Sequence, residues 1–175
     1  MTLPARRLGG QRSATRGLTL IELMITVVVL AIGLALAAPA FTQQLANYRL
    51  RTASESIING LNYARAEAVR RNSPVSFTLS ATGSGWTVAQ VSPATTLQSR
   101  AAGESAGITA ASTNESRAVT FTATGFVDGS STRMSQIDLS SSAANSETRR
   151  IDIYGGGLIR VCDPAVTAAG DPRRC

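Results

Sequence analysis

Two hydrophobic rhythms divide this chain. From Leu18 to Phe41 apolar residues follow one another almost without interruption, and from Leu23 to Phe41 there is no charge and only Thr26 is strongly polar. At a helical rise of about 1.5 Å per residue that stretch reaches roughly 28 Å, close to the bilayer hydrocarbon thickness of about 30 Å. Residues 18–41 are therefore expected to form the transmembrane half of a helix. Past Phe41 the apolar residues recur at helical spacing instead. Leu50, Ile57, Leu61, Ala64 and Ala68 share a face, and Arg51, Glu55, Asn62 and Arg65 point away from it. This second, amphipathic half is expected over 42–71, with Glu67 and Arg71 paired one turn apart and Asn72-Ser73-Pro74 as the stop. Pro39 removes a backbone donor and disfavours helix just before it, so a kink or local melting is expected between Ala35 and Pro39.

After residue 72 the period changes to two. Val75, Phe77 and Leu79 alternate with polar residues, Gly83-Ser84-Gly85 turns the chain, and Trp86 and Val88 follow in a second strand. Val119 with Phe121, Ile137 with Leu139, and Ile151 with Ile153 mark three more strands, while residues 92–117 and 140–147 read as loops rich in small polar residues. The expected fold class is α+β: a long helix whose second half packs on a small antiparallel sheet, with residues 72–175 as a β-rich head.

Charge changes the picture only through its placement. The net charge of +6 suggests an anionic partner at first sight. Yet Arg6, Arg7, Arg12 and Arg16 all precede the apolar run with no acid among them, an order that holds the start of a chain in the cytoplasm. Without residues 1–17 the charge is close to balanced. The chain contains no His and two cysteines, Cys162 and Cys175. A metal centre lacks ligands, and Ser-His-Asp or Cys-His catalysis lacks its base, so neither an enzyme nor a cofactor is expected. In a chain whose head leaves the cytoplasm, the two cysteines read as a disulfide, with two free thiols as the alternative. Such a bridge closes a loop worth about 3 kcal/mol in the chain-entropy model.

The small residues of Ala35 to Ala40 would also suit the cleavage site of an ordinary secretory signal. Glu22 argues against that, because a carboxylate inside an apolar segment is costly and implies a partner. Arg16-Gly17-Leu18-Thr19-Leu20-Ile21-Glu22-Leu23-Met24 resembles the leader junction of type IV prepilins and pseudopilins. The resemblance implies that a prepilin peptidase cuts after Gly17 and that Leu18 becomes an N-methylated terminus, although Leu stands where Phe is commonest. It also implies that Glu22 meets the terminal amine of a neighbouring subunit and sets register. Leu61-Asn62-Tyr63-Ala64-Arg65-Ala66-Glu67-Ala68-Val69-Arg70-Arg71 is similar to the helix end of the GspH/FimT family of minor pilins, and a Cys162–Cys175 loop would resemble that of FimU-type members. The implied partners are other minor pilins, a major pilin, the inner-membrane assembly platform and the bilayer. The implied location is the bacterial inner membrane with the head in the periplasm, and then a filament serving a type IV pilus or type II secretion. Some FimT relatives bind DNA through Gly-Arg-x-Arg near the carboxyl end. Here the matching stretch is Gly157-Leu158-Ile159-Arg160, with the first Arg replaced, so Arg160, Arg173 and Arg174 are the candidate DNA-binding residues.

Overall fold

The computed structural model describes residues 19–129 and 132–175. It divides into two compact units on either side of Ala38/Pro39. Helix α1 (Leu20–Arg71) begins one residue after Thr19, whose Oγ1 accepts a hydrogen bond from the Glu22 amide at 3.2 Å. A Thr three residues ahead of a Glu is a helix-start signature, and a carboxylate in the first turn also suits the positive end of the helix dipole. The helical assignment runs unbroken through Pro39, so no melting accompanies it. A proline removes one intrahelical bond, and the apolar residues around it supply no competing polar partners. In the first unit every residue from Thr19 to Ala38 is exposed, and the helix is long and apolar enough to cross a membrane. The hydroxyl of Thr26 bonds back to the Leu23 carbonyl at 2.8 Å, so it adds no unsatisfied group to that surface.

In the second unit the expected stripe of α1 is buried. Leu50, Ile57, Leu61, Ala64 and Ala68 have no accessible surface, and Ala53 joins them. Beyond α1 the described residues hold eight strands in two four-stranded antiparallel sheets. Sheet A has the order β3-β2-β1-β5, from β1 (Val75–Leu79), β2 (Trp86–Gln90), β3 (Thr95–Arg100) and β5 (Ala118–Phe121). Sheet B has the order β4-β6-β7-β8, from β4 (Ile108–Ser112), β6 (Gln136–Ser141), β7 (Arg149–Ile153) and β8 (Ile159–Cys162). The head thus departs from the single small sheet expected. Residues 92–117, read as a loop, contain β3, a short 3-10 turn (Ala102–Glu104) and β4. These segments, rich in Thr, Ser and Ala, pair through their backbones without the bulky alternation that would announce a strand.

One cluster of buried side chains joins the helix stripe to Phe77, Trp86, Val88 and Phe121 of sheet A and to Ile137, Leu139, Ile151 and Ile153 of sheet B. The helix approaches sheet A closely at Gly60, where an added Cβ would stand 2.9 Å from the Phe77 ring and 3.0 Å from Trp86. Those rings are stacked at 5.7 Å between centroids, and the indole N–H of Trp86 donates to Ser56 Oγ at 3.1 Å. The buried indole donor is thereby satisfied from the helix.

Candidate functional site

Three groups of residues carry the candidate chemistry. The first is the start of the apolar segment. Gly17 and Leu18, the expected cut and methylation positions, lie outside the described residues. Glu22 lies inside them, exposed one turn into α1, the single acid between Thr19 and Phe41.

The second group is at the carboxyl end of α1. Glu67 is buried and receives both neighbouring guanidinia: Arg70 donates to its two oxygens at 2.9 and 2.6 Å, and Arg71 donates at 2.7 Å. These hydrogen bonds, from Arg70 first and then Arg71, outweigh desolvation and hold the Glu67 carboxyl down at about 2. Arg71 reaches on to Gln90 of β2 at 3.2 Å, tying the helix end to sheet A. One turn earlier, Arg65 grips two main-chain carbonyls at once, donating from Nε to Gly125 and from Nη1 to Gly157, each at 3.0 Å.

Those two carbonyls belong to matching turns. In Thr122–Phe126 the first amide donates to the fifth carbonyl and the glycine amide donates to the first carbonyl, both at 2.8 Å; Tyr154–Leu158 repeats the pattern at 2.9 and 2.8 Å. Gly125 (φ 79°) and Gly157 (φ 78°) hold the same place in each, in the left-handed region that favours glycine. One turn follows β5 of sheet A and the other joins β7 to β8 of sheet B, so a single helix side chain fastens both sheets.

The third group is the carboxyl-terminal loop. Cys162 and Cys175 are joined in a disulfide, with their Cα atoms 4.9 Å apart. The register Arg150↔Cys162 and Asp152↔Arg160 puts the bridge and Arg160 on the side of sheet B opposite the core. Asp163 and Asp171 each cap a turn through Oδ1, accepting the amides of Ala165 and Arg173 at 2.9 Å. The Asp163 amide donates to the Arg173 carbonyl at 2.6 Å, which lays the chain end beside β8. Arg160, Arg173 and Arg174 are accordingly neighbours, and two of their guanidinia are engaged. Arg160 donates to the Arg174 carbonyl at 2.8 Å, and Arg173 pairs with Asp171 at 2.8 Å, holding that carboxyl at about 2.

Residues 53–157 match the family model described as type II transport protein GspH, and residues 12–38 match the prokaryotic N-terminal methylation motif. The chain belongs to the GspH family. No curated protein sequence matches it. Among solved structures it is similar to the type IV minor pilin FimU of Pseudomonas aeruginosa in two crystal forms. One has a TM-score of 0.55 at 20% identity, covering 69% of this chain and 92% of that one. The other has a TM-score of 0.53 at 19% identity, covering 68% and 97%. At that identity the likeness speaks for the pilin fold. As a GspH-family pilin or pseudopilin the chain is a structural protein and not an enzyme, of a class that associates with other pilins and an assembly machinery.

Within this GspH-family chain the site residues belong to different units: Glu22 to the first, the cysteines and the three arginines to the second. Sequence reasoning placed Arg65 on the exposed face of α1, which is correct for the helix but misses its two carbonyls. It also noticed Gly157 only as the start of a possible phosphate-gripping motif. The left-handed turn and the Arg65 contact explain that glycine without any ligand.

Proposed function

We propose that this chain is a minor pilin that enters a type IV pilus and helps to start its assembly together with other minor pilins. In this reading residues 1–17 are a leader removed by a prepilin peptidase, Leu18 is methylated, and residues 18–41 hold the subunit in the inner membrane. Residues 42–71 and the head, 72–175, stand in the periplasm until the assembly platform moves the subunit into the filament beside the major pilin. The observation that carries the reading is the apolar segment of α1: exposed at each residue from Thr19 to Ala38, it bears one carboxylate, and the core of the head is completed by the later, amphipathic half of the helix without it. Loss of pili from a strain lacking the chain, with protein secretion intact, is the expected result. Intact pili with failed secretion would refute it.

The second reading, a minor pseudopilin of type II secretion, is favoured by the match to a family described by type II transport. The same deletion strain separates the two. Binding of DNA through Arg160, Arg173 and Arg174 gains no comparable support, since two of the three guanidinia already serve the loop itself.

A further inference from the structure

On the outer face of sheet B stands an acid with almost nothing to hold its charge. The Oδ1 atom of Asp152 is buried and has no hydrogen-bond partner among the described residues. Its Oδ2 atom lies 3.5 Å from the Sγ atom of Cys162, diagonally across the β7–β8 pair. A buried carboxylate normally gathers amide or guanidinium donors, because an unsatisfied charge is expensive to bury. Here the guanidinia are committed elsewhere. Arg150 donates to both oxygens of Asp138 at 2.6 and 2.9 Å, and Arg160, the cross-strand partner of Asp152, donates to the Arg174 carbonyl at 2.8 Å. Arg149 and Arg173 line a cavity of about 260 Å³ that Cys162 also borders, and each faces an acid of its own, Glu147 at 3.5 Å and Asp171 at 2.8 Å. Arg51 closes the far side of that cavity from α1. Among the described residues Asp152 is nevertheless the one charged group in polar contact with the sulfur.

The two halves of the bridge are unequal. Cys162 is 3% exposed, whereas Cys175 is an exposed residue. Thiol–disulfide exchange begins when a thiolate bonds to one sulfur; the S–S bond breaks and its electron pair leaves on the other sulfur. Burial directs that attack to Cys175, so the sulfur that departs is that of Cys162. Its new negative charge forms against the Asp152 carboxylate in a partly buried place, where like charges repel more strongly than in water. A thiolate disfavoured in this way is a poorer leaving group and departs more slowly. Once it has taken a proton from water, the same sulfur can donate to Oδ2. The obstacle therefore lies in the step and not in its product.

We propose that Asp152 guards the Cys162–Cys175 bridge against exchange with thiols: Cys175 is the sulfur open to attack, and Cys162 is the sulfur that the carboxylate hinders from leaving. Asp152 acts here as a positioned charge and forms no bond itself. Its effect is to keep the carboxyl-terminal loop closed beside β8 where other thiols are present. The inference concerns the head alone and holds whether the filament serves a pilus or secretion.

The test uses the full chain in detergent micelles and compares wild type with Asp152→Asn and Asp152→Glu. Each is treated with reduced glutathione, quenched with iodoacetamide at intervals and read by mass spectrometry. Asp152→Asn keeps the shape and removes the charge, and the bridge is expected to open at least threefold faster. Asp152→Glu keeps the charge and changes the packing, and its rate should stay within twofold of wild type. In the trapped intermediate glutathione should sit on Cys175 and the alkyl group on Cys162. Amide exchange at Asp163 and Arg174, measured without reductant, should be the same in Asp152→Asn as in wild type. Equal opening rates for Asp152→Asn and wild type overturn the proposal, as does Asp152→Glu opening as fast as Asp152→Asn. Glutathione found on Cys162 overturns it too, and so does faster opening matched by equally faster exchange at Asp163, which would make the effect one of loosened packing.

Discussion

Replacing Arg65 by Met tests whether one helix side chain fastens the two sheets. Methionine keeps a flexible apolar stem over α1 and removes the guanidinium. Two hydrogen bonds of 3.0 Å from a charged donor are lost, to Gly125 and Gly157. Bonds of this kind contribute about 1.5 to 3 kcal/mol each when desolvated, and less where water can reach the freed carbonyl, as it can at this partly buried place. The expected loss is about 2 kcal/mol for the pair. In a head of this size that is a fall in melting temperature of about 6 to 10 °C. The assay is urea unfolding of the piece from Thr42 to Cys175, which is the amphipathic half of α1 with the head, followed by Trp86 fluorescence, with amide exchange at Val127 and Gly157 as a local readout. The Gly157 amide lies in one of the turns Arg65 holds, bonded to Tyr154, and the Val127 amide directly follows the other and bonds across to Gly155. Arg65→Lys should recover at most half of the loss, since an ammonium lacks the fork that spans two acceptors. If Arg65→Met shifts stability by less than about 0.5 kcal/mol and leaves both amides equally protected, the fastening argument is wrong.

Other expectations follow from the same geometry. Glu67 has a folded pKa of about 2 against an ordinary 4.5, so its stabilisation is complete above pH 4.5 and is lost as pH falls from 4.5 towards 2. Allowing for the exposure of Arg70, that window should remove about 1 to 2 kcal/mol, and Glu67→Gln should flatten the acid limb of a stability-against-pH curve. An unchanged limb would count against the paired carboxylate. Joint Cys162→Ser and Cys175→Ser substitution should cost up to about 3 kcal/mol in urea unfolding and speed exchange of the Asp163 and Arg174 amides, whereas unaltered exchange would mean the turns alone hold the chain end. Glu22→Leu should leave leader cleavage largely intact, seen as a normal mobility shift on gels, and reduce recovery in sheared filaments; full recovery would remove the registry role from Glu22.

Helix α1 was legible from periodicity, because burial of a helix face requires apolar residues three and four apart and Leu50 to Ala68 supply them. The strands with bulky alternation, β1, β2, β5, β6 and β7, were legible for the analogous reason. Strands β3 and β4 were not. Thr95–Arg100 lies at an edge with little to bury, and β4 turns inward only Ile108 and Ala110. A strand made of small polar residues is specified by its neighbours' backbone and leaves almost no trace in its own side chains. Strand β8 was hidden differently: its four residues overlap a stretch read for charge rather than for pattern. The pair Glu67–Arg71 could be seen one turn apart, but Arg65 could not be matched to its acceptors. They lie 60 and 92 residues away and are carbonyls, which every residue carries.

In the proposed reading the exposed half of α1 accounts for residence in a membrane but not for assembly into a filament. Ten or more side chains such as Leu23, Ile25, Val28 and Leu30 stand open, each worth about 1.5 to 3 kcal/mol when buried, so their sum exceeds the whole stability of an ordinary domain. Water is therefore excluded as a lasting surrounding. A bilayer and a bundle of neighbouring apolar helices satisfy that requirement almost equally, because lipid tails are as apolar as Leu, and burial alone gives a subunit no reason to leave one for the other. The difference between the two surroundings has to come from the polar groups, and from Thr26 to Phe41 the segment has only a Thr that bonds to its own helix. Thr19 likewise spends its hydroxyl oxygen on the Glu22 amide, which leaves the Glu22 carboxylate. A lone carboxylate is costly in hydrocarbon and becomes tolerable beside a positive charge, which neighbouring subunits can bring and lipid tails cannot. In the proposed reading the apolar residues hold the segment out of water, and the single acid near its start is what would make a filament preferable to the membrane; normal recovery of Glu22→Leu in filaments would remove that step.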